Sequence, residues 1–307
     1  MPAAVTHQYF AEFVLHDVPA PVKARIGACE HAFYWGAQGP DILFFHHAGL
    51  LSRAAALGYE MHMKKVPRTA RAMAAACPAT DGTLFSYFLG FLCHYALDST
   101  AHPFVRWTVK EKLVPETGDC EGAEHRRCES ELDYAVLSRR VTKVPALYRM
   151  ATHLTPESDI LRAVGTLYAR VGWEVFGHRV SPLSVRSSML QMRLILRALH
   201  DESGKKITNL QKVEGALRAP HFVSALVRPQ AANGAHDIAN DAHMRWFVPE
   251  FPDVTSQESF FDLLDRARQK AVSLLCRAYA GTLSTGDFPL DFEGLPCEGV
   301  RSYPPIL

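Results

Sequence analysis

Apolar residues along this chain recur mostly at intervals of three and four, the spacing that places side chains on one face of an α-helix. This periodicity predicts helices over residues 8–15, 164–176, 183–199 and 260–280. No region alternates between apolar and polar residues for long enough to indicate a sheet. The polar residues 204–212 are typical of a loop, and the Gly/Pro-rich residues 282–307 of a coil. The pattern predicts one all-α domain over residues 1–281, with residues 282–307 packed on it as an irregular tail.

The apolar stretch over residues 88–103, FLGFLCHYALDSTAHP, contains three ionisable side chains at intervals of four: His94, Asp98 and His102. Helical side chains four residues apart share a face. Because Pro103 disfavours helical geometry at the residue before it, we expect the helix to end at His102. Ionisable groups in apolar surroundings must be paired or bind a metal. The stretch is therefore either a metal site or a core helix with an ordinary His–Asp hydrogen bond.

A second helical segment repeats this arrangement, with His125, Glu129 and Asp133 at intervals of four. The simpler interpretation is a solvated helix in which Glu129 pairs with a neighbouring charge such as Arg126. However, His125 follows His94 by only 31 residues, and each begins a His-x-x-x-acid pair on a predicted helix. Two such pairs are less expected by chance than one, which favours a metal site.

Further candidate ligands lie before these helices. Asp41 follows a Gly-Pro turn, which presents it from a loop, where it would be a helix N-cap or a metal ligand. His62 lies between two methionines on a helical segment and is a candidate ligand. His46 and His47 are alternatives to it, and at most one of that adjacent pair can face a shared site.

Composition narrows the classes of function. The chain is 48% hydrophobic and 21% charged with a formal net charge of +1, so no global field draws it to nucleic acid or an anionic membrane. No apolar stretch approaches the roughly 18–20 residues of a membrane span, and no secretory signal is recognisable. The seven cysteines form no CxxC pair and are expected to be reduced. These features predict a cytoplasmic location.

Taken together, the candidate residues resemble the bacterial zinc-dependent phospholipase C family, whose all-α fold and metal cluster also occur in fungal zinc-dependent single-strand nucleases. The resemblance covers residues 6–129, and extends weakly to residues 246–260. It implies a single multi-helical domain with a buried metal cluster. The residues that carry it are His7, Gly39-Pro40-Asp41, His62, His94-x-x-x-Asp98-x-x-x-His102 and His125-x-x-x-Glu129.

The resemblance also implies a role for each residue. One zinc would be held by Asp41, His62 and His94, with Asp98 bridging to another ion. A second zinc would be held by His102, His125 and Glu129. A third, weaker position would use His7 with Asp98. In the family this position also uses a mature N-terminal amine, which removal of Met1 ahead of Pro2 could supply here. We therefore expect two tightly bound ions and one labile ion, with iron or manganese as alternatives to zinc.

The activity implied is that of a zinc-dependent phosphoric-ester hydrolase, in which a multinuclear zinc cluster activates water for attack on a phosphodiester. Asp41 would orient or deprotonate the water. Arg126, Arg127 and Lys64 are candidates to contact the substrate phosphate. The expected substrate is a small phosphodiester or a phospholipid. No stable nucleic-acid complex is expected, and the sequence specifies no oligomeric state.

Other functions are compatible with the same residues. The dyads His16-Asp17 and His236-Asp237 suggest a metal-dependent nucleotide phosphohydrolase of the HD type, although both lie in predicted breaks or loops. A nuclease would need a groove with exposed aromatic and basic side chains. A non-catalytic metal-binding protein of the same fold would have a closed site without a free coordination position.

Overall fold

A computed structural model describes residues 3–49, 52–142, 144–231, 237–300 and 303. Most of them are helical. The α-helices are α1 (Ala4–Val14), α2 (Ala20–Gly27), α3 (Glu30–Ala37), α4 (Arg53–Met63), α5 (Val66–Ala76), α6 (Gly82–Thr108), α7 (Val114–Thr117), α8 (Glu121–Val136), α9 (Ser158–Val171), α10 (Pro182–Leu199), α11 (Lys205–Ala216) and α12 (Phe260–Tyr279). Shorter helical segments are the 3-10 helices Gly39–Gly49, Pro145–Leu147, Met150–Thr152, Ser224–Leu226 and Thr285–Asp287 and the π-helical turns Val109–Leu113, Leu137–Val141 and Gly172–Phe176. The all-α prediction is confirmed, as are the four helices predicted from apolar periodicity.

The long helix α6 is the centre of the fold. Asp81 caps its N-terminus by accepting a hydrogen bond from the Leu84 amide at 3.0 Å. Nearly every side chain from Phe85 to Thr108 is buried, because α1, α3, α9 and α12 pack around the helix. A helix that is apolar on all sides is stable only when it is surrounded in this way.

The prediction that this helix ends at His102 is wrong. Pro103 lies inside α6, which continues to Thr108. An internal proline costs a helix about 3 kcal/mol. Burial of a large apolar side chain returns about 1.5–3 kcal/mol, and Phe104, Val105 and Trp107 are all buried beyond the proline. Tertiary packing therefore outweighs the local preference, and His102 stays on the same helical face as His94.

Helices α3 and α6 approach each other through a pair of glycines. A Cβ atom on Gly36 would lie 2.0 Å from the Tyr87 carbonyl oxygen, and one on Gly90 would lie 2.1 Å from that of Phe33. No larger residue fits at either position without moving a helix. The close contact brings the end of α3, and the 3-10 helix that follows it, against the middle of α6.

A buried carboxylate joins α8 to the start of α1. Asp133 accepts hydrogen bonds from the Thr6 amide at 2.8 Å, the Thr6 hydroxyl at 2.6 Å and the Val5 amide at 3.3 Å. Helix α1 has no side-chain cap of its own, so Asp133 satisfies two of its free amide groups. Asp133 thus fixes helix α1. Although it continues the spacing of His125 and Glu129, its role is structural.

The loop prediction over residues 204–212 is wrong: Gly204 is the N-cap of α11, and residues 205–212 lie in the helix. The signal for this helix lies upstream, where Asp201 accepts hydrogen bonds from the amides of Ser203, Gly204, Lys206 and Ile207. This carboxylate satisfies amide groups at the helix start that have no partner within the helix. The polarity of residues 204–212 does not indicate this helix, because the capping residue Asp201 precedes them.

A small antiparallel sheet is the exception to the helical architecture. Strands β1 (Trp246–Val248) and β2 (Phe251–Ser256) pair with an irregularity between Phe247 and Val248. After β2, Ser259 and Asp262 form a capping box that begins α12. The expectation that no sheet forms was wrong in this detail, because three residues of β1 are too few to show alternation.

The described part of the C-terminal tail packs against α6. The Tyr95 hydroxyl donates to the Leu290 carbonyl at 2.9 Å, and Leu290 pairs with Pro296 in a single β-bridge. Phe292 is fully buried. Across the described ranges, no helix has the length and apolar character needed to cross a membrane.

Candidate metal centre

The eight side chains predicted as ligands lie in one region, where five helical segments meet. His7 comes from α1, Asp41 from the 3-10 helix Gly39–Gly49 and His62 from α4. Helix α6 supplies His94, Asp98 and His102 from one face, and α8 supplies His125 and Glu129. Three sets of donor atoms each lie within 4.8 Å of one another: His7 with Asp41 and His94; His62 with His94 and Asp98; and His102 with His125 and Glu129.

Asp98 occupies the middle of this arrangement. One of its oxygens, Oδ1, lies 3.2 Å from His7 Nε2 and 4.0 Å from His102 Nε2. The other, Oδ2, lies 3.0 Å from His94 Nε2. The carboxylate is only 4% exposed. Its two oxygens therefore face different imidazoles, which is the geometry a bridging carboxylate requires.

Three of the imidazoles are oriented in the same way by backbone carbonyls. The Nδ1 atoms of His62, His94 and His102 lie 2.7, 3.1 and 2.7 Å from the carbonyl oxygens of Gly58, Ala37 and Phe292, respectively. A carbonyl oxygen can only accept, so Nδ1 carries the proton in each ring. The lone pair of each neutral ring is then on Nε2, the atom that faces the carboxylates. Histidine ligands of metals are commonly held by such a hydrogen bond.

Asp41 lies in the first turn of a 3-10 helix, and not in a loop as predicted. Its Oδ1 is 3.0 Å from His62 Nε2. Gly39, the first residue of this 3-10 helix, has φ +52°, and a Cβ there would lie 2.4 Å from the His94 ring. The glycine thus permits both the turn and the approach of the chain to His94.

The geometry distinguishes between His62 and its two alternatives. Of the three, His62 lies beside Asp41, with Phe44 stacked on its ring at a centroid distance of 5.2 Å. His46 contacts the ring of His47 edge-on, at a centroid distance of 4.0 Å. The structure therefore places His62 in the cluster.

His7 reaches the cluster because Asp133 fixes the beginning of α1. Its ring stacks on His94 with a centroid distance of 4.1 Å and an interplanar angle of 23°. Its Nδ1 atom is buried and has no hydrogen-bond partner among the described residues. The donor atoms of His7 therefore lie close to those of Asp41 and His94 as well as to Asp98.

The third set of donors is the most open to solvent. Glu129 Oε1 lies 3.3 Å from His125 Nε2 and 3.6 Å from His102 Nε2. The side chain of His125 is 27% exposed, whereas that of Glu129 is 5% exposed. This side of the cluster is therefore accessible from a surface cavity.

The carboxylates and imidazoles shift one another's pKa values. Burial alone would raise the pKa of Asp41. Without a metal, His62 can also carry a proton on Nε2, and the hydrogen bond that it then donates to Asp41 lowers the pKa of this carboxylate to about 2. Burial also opposes ionisation of Asp98, yet the imidazoles around it, His94 first, hold its pKa well below the usual range. Burial lowers the pKa of His94. For His102 burial acts in the same direction, but the nearby carboxylates, chiefly Asp98, raise the pKa to about 10.

The donor set fits zinc. A tetrahedral zinc site with bonds of about 2.0–2.1 Å separates its donor atoms by about 3.3 Å. The separations around Asp98 and Glu129 range from 3.0 to 4.0 Å. In addition, His94 Nε2 is buried and makes no hydrogen bond within the described chain, although Asp98 is near. A buried imidazole nitrogen without a hydrogen bond is an atom that a metal ion satisfies.

A cavity of about 200 Å³ opens onto the cluster. Besides the proposed ligands, its wall includes Phe44, Tyr59, Met63, Arg126 and Glu293. Sequence reasoning did not identify the apolar wall, although Tyr59 stands one helical turn before His62 and could have been found by spacing. Glu293 had no such signal, because it lies 164 positions after Glu129.

Of the three basic residues considered for phosphate contact, the structure places one at the cavity. Arg126 lines it and stacks over the Phe222 ring at 4.9 Å. Arg127 faces another side of α8, where it bonds to Glu131 at 3.0 Å. Lys64 pairs with Glu60 at 3.3 Å, and its side chain is 61% exposed.

The two His-Asp dyads do not join the cluster. His16 and Asp17 are exposed, and Asp17 pairs with Arg268 at 2.6 Å. His236 lies outside the described residues, whereas Asp237 accepts hydrogen bonds from the amides of Asp241 and Ala242. Neither aspartate belongs to a set of candidate ligands in the described ranges.

Comparison with known proteins gives one match. A family model described as zinc-dependent phospholipase C matches residues 6–170, more than half of the 307 residues. All eight predicted ligands lie within this range. No curated protein and no solved structure matches the chain.

Proposed function

The chain belongs to the zinc-dependent phospholipase C family, and on that premise we propose that it hydrolyses phosphodiesters with a multinuclear zinc centre. The proposed ligands are His7, Asp41, His62, His94, Asp98, His102, His125 and Glu129. The observation that carries the proposal is the position of Asp98, whose two oxygens face imidazoles from different donor sets. Two or three ions bound around a shared carboxylate would explain this arrangement. The substrate class is a small phosphodiester or a phospholipid.

The residues of the chain have separable roles in this reaction. His62, His94 and His102 present Nε2 because backbone carbonyls hold their Nδ1 protons. Bound zinc ions would supply a nucleophilic water at neutral pH and stabilise charge on the phosphoryl oxygens. Asp41 is ionised and lies at the cavity wall, where it would accept a hydrogen bond from the attacking water and orient it.

Arg126 is proposed to contact the phosphate. It shares the cavity wall with His125 and is the one of the three basic candidates placed there. Guanidinium groups bind phosphate through paired, charge-assisted hydrogen bonds. The apolar side chains of Phe44, Tyr59 and Met63 line the same cavity and would contact the organic substituents of the ester.

Metal content tests the first part of the proposal. Wild type purified without chelator or a nickel-binding tag is expected to contain two or three zinc ions per chain by elemental analysis. Asp98→Asn should lose at least one of them, because it removes the shared carboxylate. Glu214→Gln is a matched control, since this buried carboxylate lies in α11 and bonds to the Val223 amide. It should keep the full content.

Hydrolysis tests the second part. A chromogenic phosphodiester should be cleaved by wild type, the activity should vanish on chelation, and zinc should restore it. Loss of a charge-assisted contact worth about 1.5–3 kcal/mol predicts that Arg126→Met lowers kcat/KM by about 10–160-fold. Arg127→Met, which changes the neighbouring arginine outside the cavity, should stay within about twofold. A protein that binds zinc tightly and cleaves neither diesters nor monoesters would contradict the proposal and support a non-catalytic metal site.

A further inference from the structure

A tight turn near the C-terminus, residues 291–295, forms part of the metal centre. We call it the C-terminal turn. It is closed by three hydrogen bonds: the Asp291 amide donates to the Leu295 carbonyl at 2.7 Å, the Leu295 amide to Asp291 Oδ1 at 2.8 Å, and the Gly294 amide to the Asp291 carbonyl at 3.1 Å. These bonds give the turn a defined shape of its own.

The C-terminal turn bonds to two of the proposed ligands through the backbone of one residue. The Phe292 amide donates to the His62 carbonyl at 3.0 Å. The Phe292 carbonyl accepts the hydrogen bond from His102 Nδ1 at 2.7 Å. The turn therefore links His62 on α4 to His102 on α6.

The Phe292 side chain adds contacts of its own. It is fully buried, and its ring lies 5.2 Å from that of His62 and 5.6 Å from that of His94, measured between centroids. Loss of these contacts would leave two imidazoles without part of the packing that holds their orientation.

Glu293 gives the turn an acidic side chain beside the same ligand. One carboxylate oxygen lies 4.0 Å from His102 Nδ1, and the other lies 3.9 Å from Arg106 Nε. Glu293 thus approaches Nδ1 of His102, whereas Asp98 and Glu129 approach Nε2. A negative charge beside the nitrogen that does not bind the metal strengthens an imidazole ligand.

Gly294 allows the turn to dock. Its φ is +73°, and a Cβ on it would lie 2.5 Å from Pro103 Cγ and 3.1 Å from the Ser99 carbonyl oxygen. Pro103 has no amide hydrogen, so the Ser99 carbonyl lacks its usual helical donor. The turn thus fits against α6 at the place where the proline interrupts the helical hydrogen bonding.

We infer that the C-terminal turn is a positioning element of the metal centre, so that docking of the turn and binding of metal strengthen each other. The inference rests on the proposed function in requiring that these residues bind zinc. The turn lies outside residues 6–170, the part of the chain that matches the family. The coupling is reciprocal: a turn that holds His102 in its ligand orientation raises zinc affinity, and bound zinc must stabilise the docked turn by the same factor.

The first experiment measures zinc affinity by competition with a chromogenic chelator. In Gly294→Ala the new methyl group would clash with Pro103 and displace the turn from His102. We expect the affinity for the zinc ion bound by His102 to fall about 10–100-fold, the usual effect of losing a group that orients a ligand. Gly281→Ala is the matched control. Gly281 also has a positive φ, +69°, but no atom lies within 4 Å of its Cβ position. It should bind zinc as wild type does.

The second experiment requires no substitution and covers the case in which Gly294→Ala fails to fold. Hydrogen exchange of the Phe292 amide, which bonds to His62, should slow at least about tenfold when zinc is added to metal-free wild type. The Thr282 amide, which bonds to the Arg277 carbonyl at 2.9 Å at the end of α12, is the internal control and should change little.

The outcomes separate the two proposals. Wild type that binds no zinc would overturn the proposed function and this inference with it. If wild type binds zinc, then unchanged exchange at Phe292, or wild-type affinity in a folded Gly294→Ala, would overturn the inference alone.

Discussion

The close contact between Gly90 on α6 and the backbone of α3 predicts that a larger residue at position 90 destabilises the protein. In Gly90→Ala, the new Cβ would lie 2.1 Å from the Phe33 carbonyl oxygen and 2.7 Å from the Ala37 amide nitrogen. Both are main-chain atoms, which cannot rotate away as a side chain can. Ordinary van der Waals contact begins near 3.4 Å, so the helices must separate by about 1.3 Å locally.

The magnitude follows from two opposing effects. Overpacking of this kind costs about 1–3 kcal/mol and more where the backbone resists. Alanine is favoured over glycine within a helix by about 0.5–1 kcal/mol. Because the contact joins two backbones, we take the overpacking cost at the upper end of its range, and the helix preference of alanine offsets part of it. We therefore expect a net loss of about 2 kcal/mol in the free energy of unfolding.

The same displacement should reach the metal centre. The Ala37 carbonyl accepts the hydrogen bond that orients His94, at 3.1 Å. Moving α3 away from α6 lengthens this bond. We therefore expect Gly90→Ala to bind zinc more weakly than wild type in addition to being less stable.

Urea unfolding of the metal-free proteins measures the first effect without contribution from zinc. Gly90→Ala should lower the midpoint with little change in slope. Gly27→Ala is the matched control: Gly27 ends α2 with no atom within 4 Å of its Cβ position, and alanine there should stabilise by up to about 1 kcal/mol. Wild-type stability in Gly90→Ala, or an equal loss in both variants, would refute the reasoning about the helix contact.

Two further predictions concern stability. Burial raises the pKa of Asp133 to about 6 from 3.8, so its ionised form destabilises the folded state increasingly as the pH rises from about 4 to 6. Asp133→Asn removes this effect. Denaturant titrations at several pH values should show that the stability of the variant relative to wild type rises by about 3 kcal/mol between pH 4 and 7. A difference that does not change with pH would contradict the raised pKa of Asp133. Ser259→Ala should cost about 1 kcal/mol in thermal or urea unfolding, because it removes the capping box of α12. The same change at Ser284, which caps an exposed 3-10 turn, should cost less than about 0.5 kcal/mol, and equal losses would show that the helix cap is not the cause.

Where the sequence succeeded, local periodicity was sufficient. His94, Asp98 and His102 share a helical face because their spacing is four, and the same holds for His125 and Glu129. The all-α class followed from apolar periodicity in the same way.

Where the sequence failed, the deciding interaction was remote or outweighed a local rule. Pro103 was expected to end α6, but the buried side chains beyond it keep the helix intact. Asp133 continues the spacing of His125 and Glu129, yet it bonds to Thr6 at the start of α1. The same spacing therefore places His125 and Glu129 at the cavity and Asp133 at the start of α1. Only the contact with α1 shows that Asp133 has the structural role.

The sequence by itself determined which side chains can act together within each helix, because helical geometry converts a spacing of four into a shared face. Only the tertiary structure decided which faces meet and what holds them there. Gly36 and Gly90 set the distance between α3 and α6, and the C-terminal turn, more than 160 positions after the last proposed ligand, supplies the carbonyl that orients His102. These contacts depend on backbone groups from distant segments, and a backbone carbonyl is present in every residue. Its use as a partner therefore leaves no signal in the sequence.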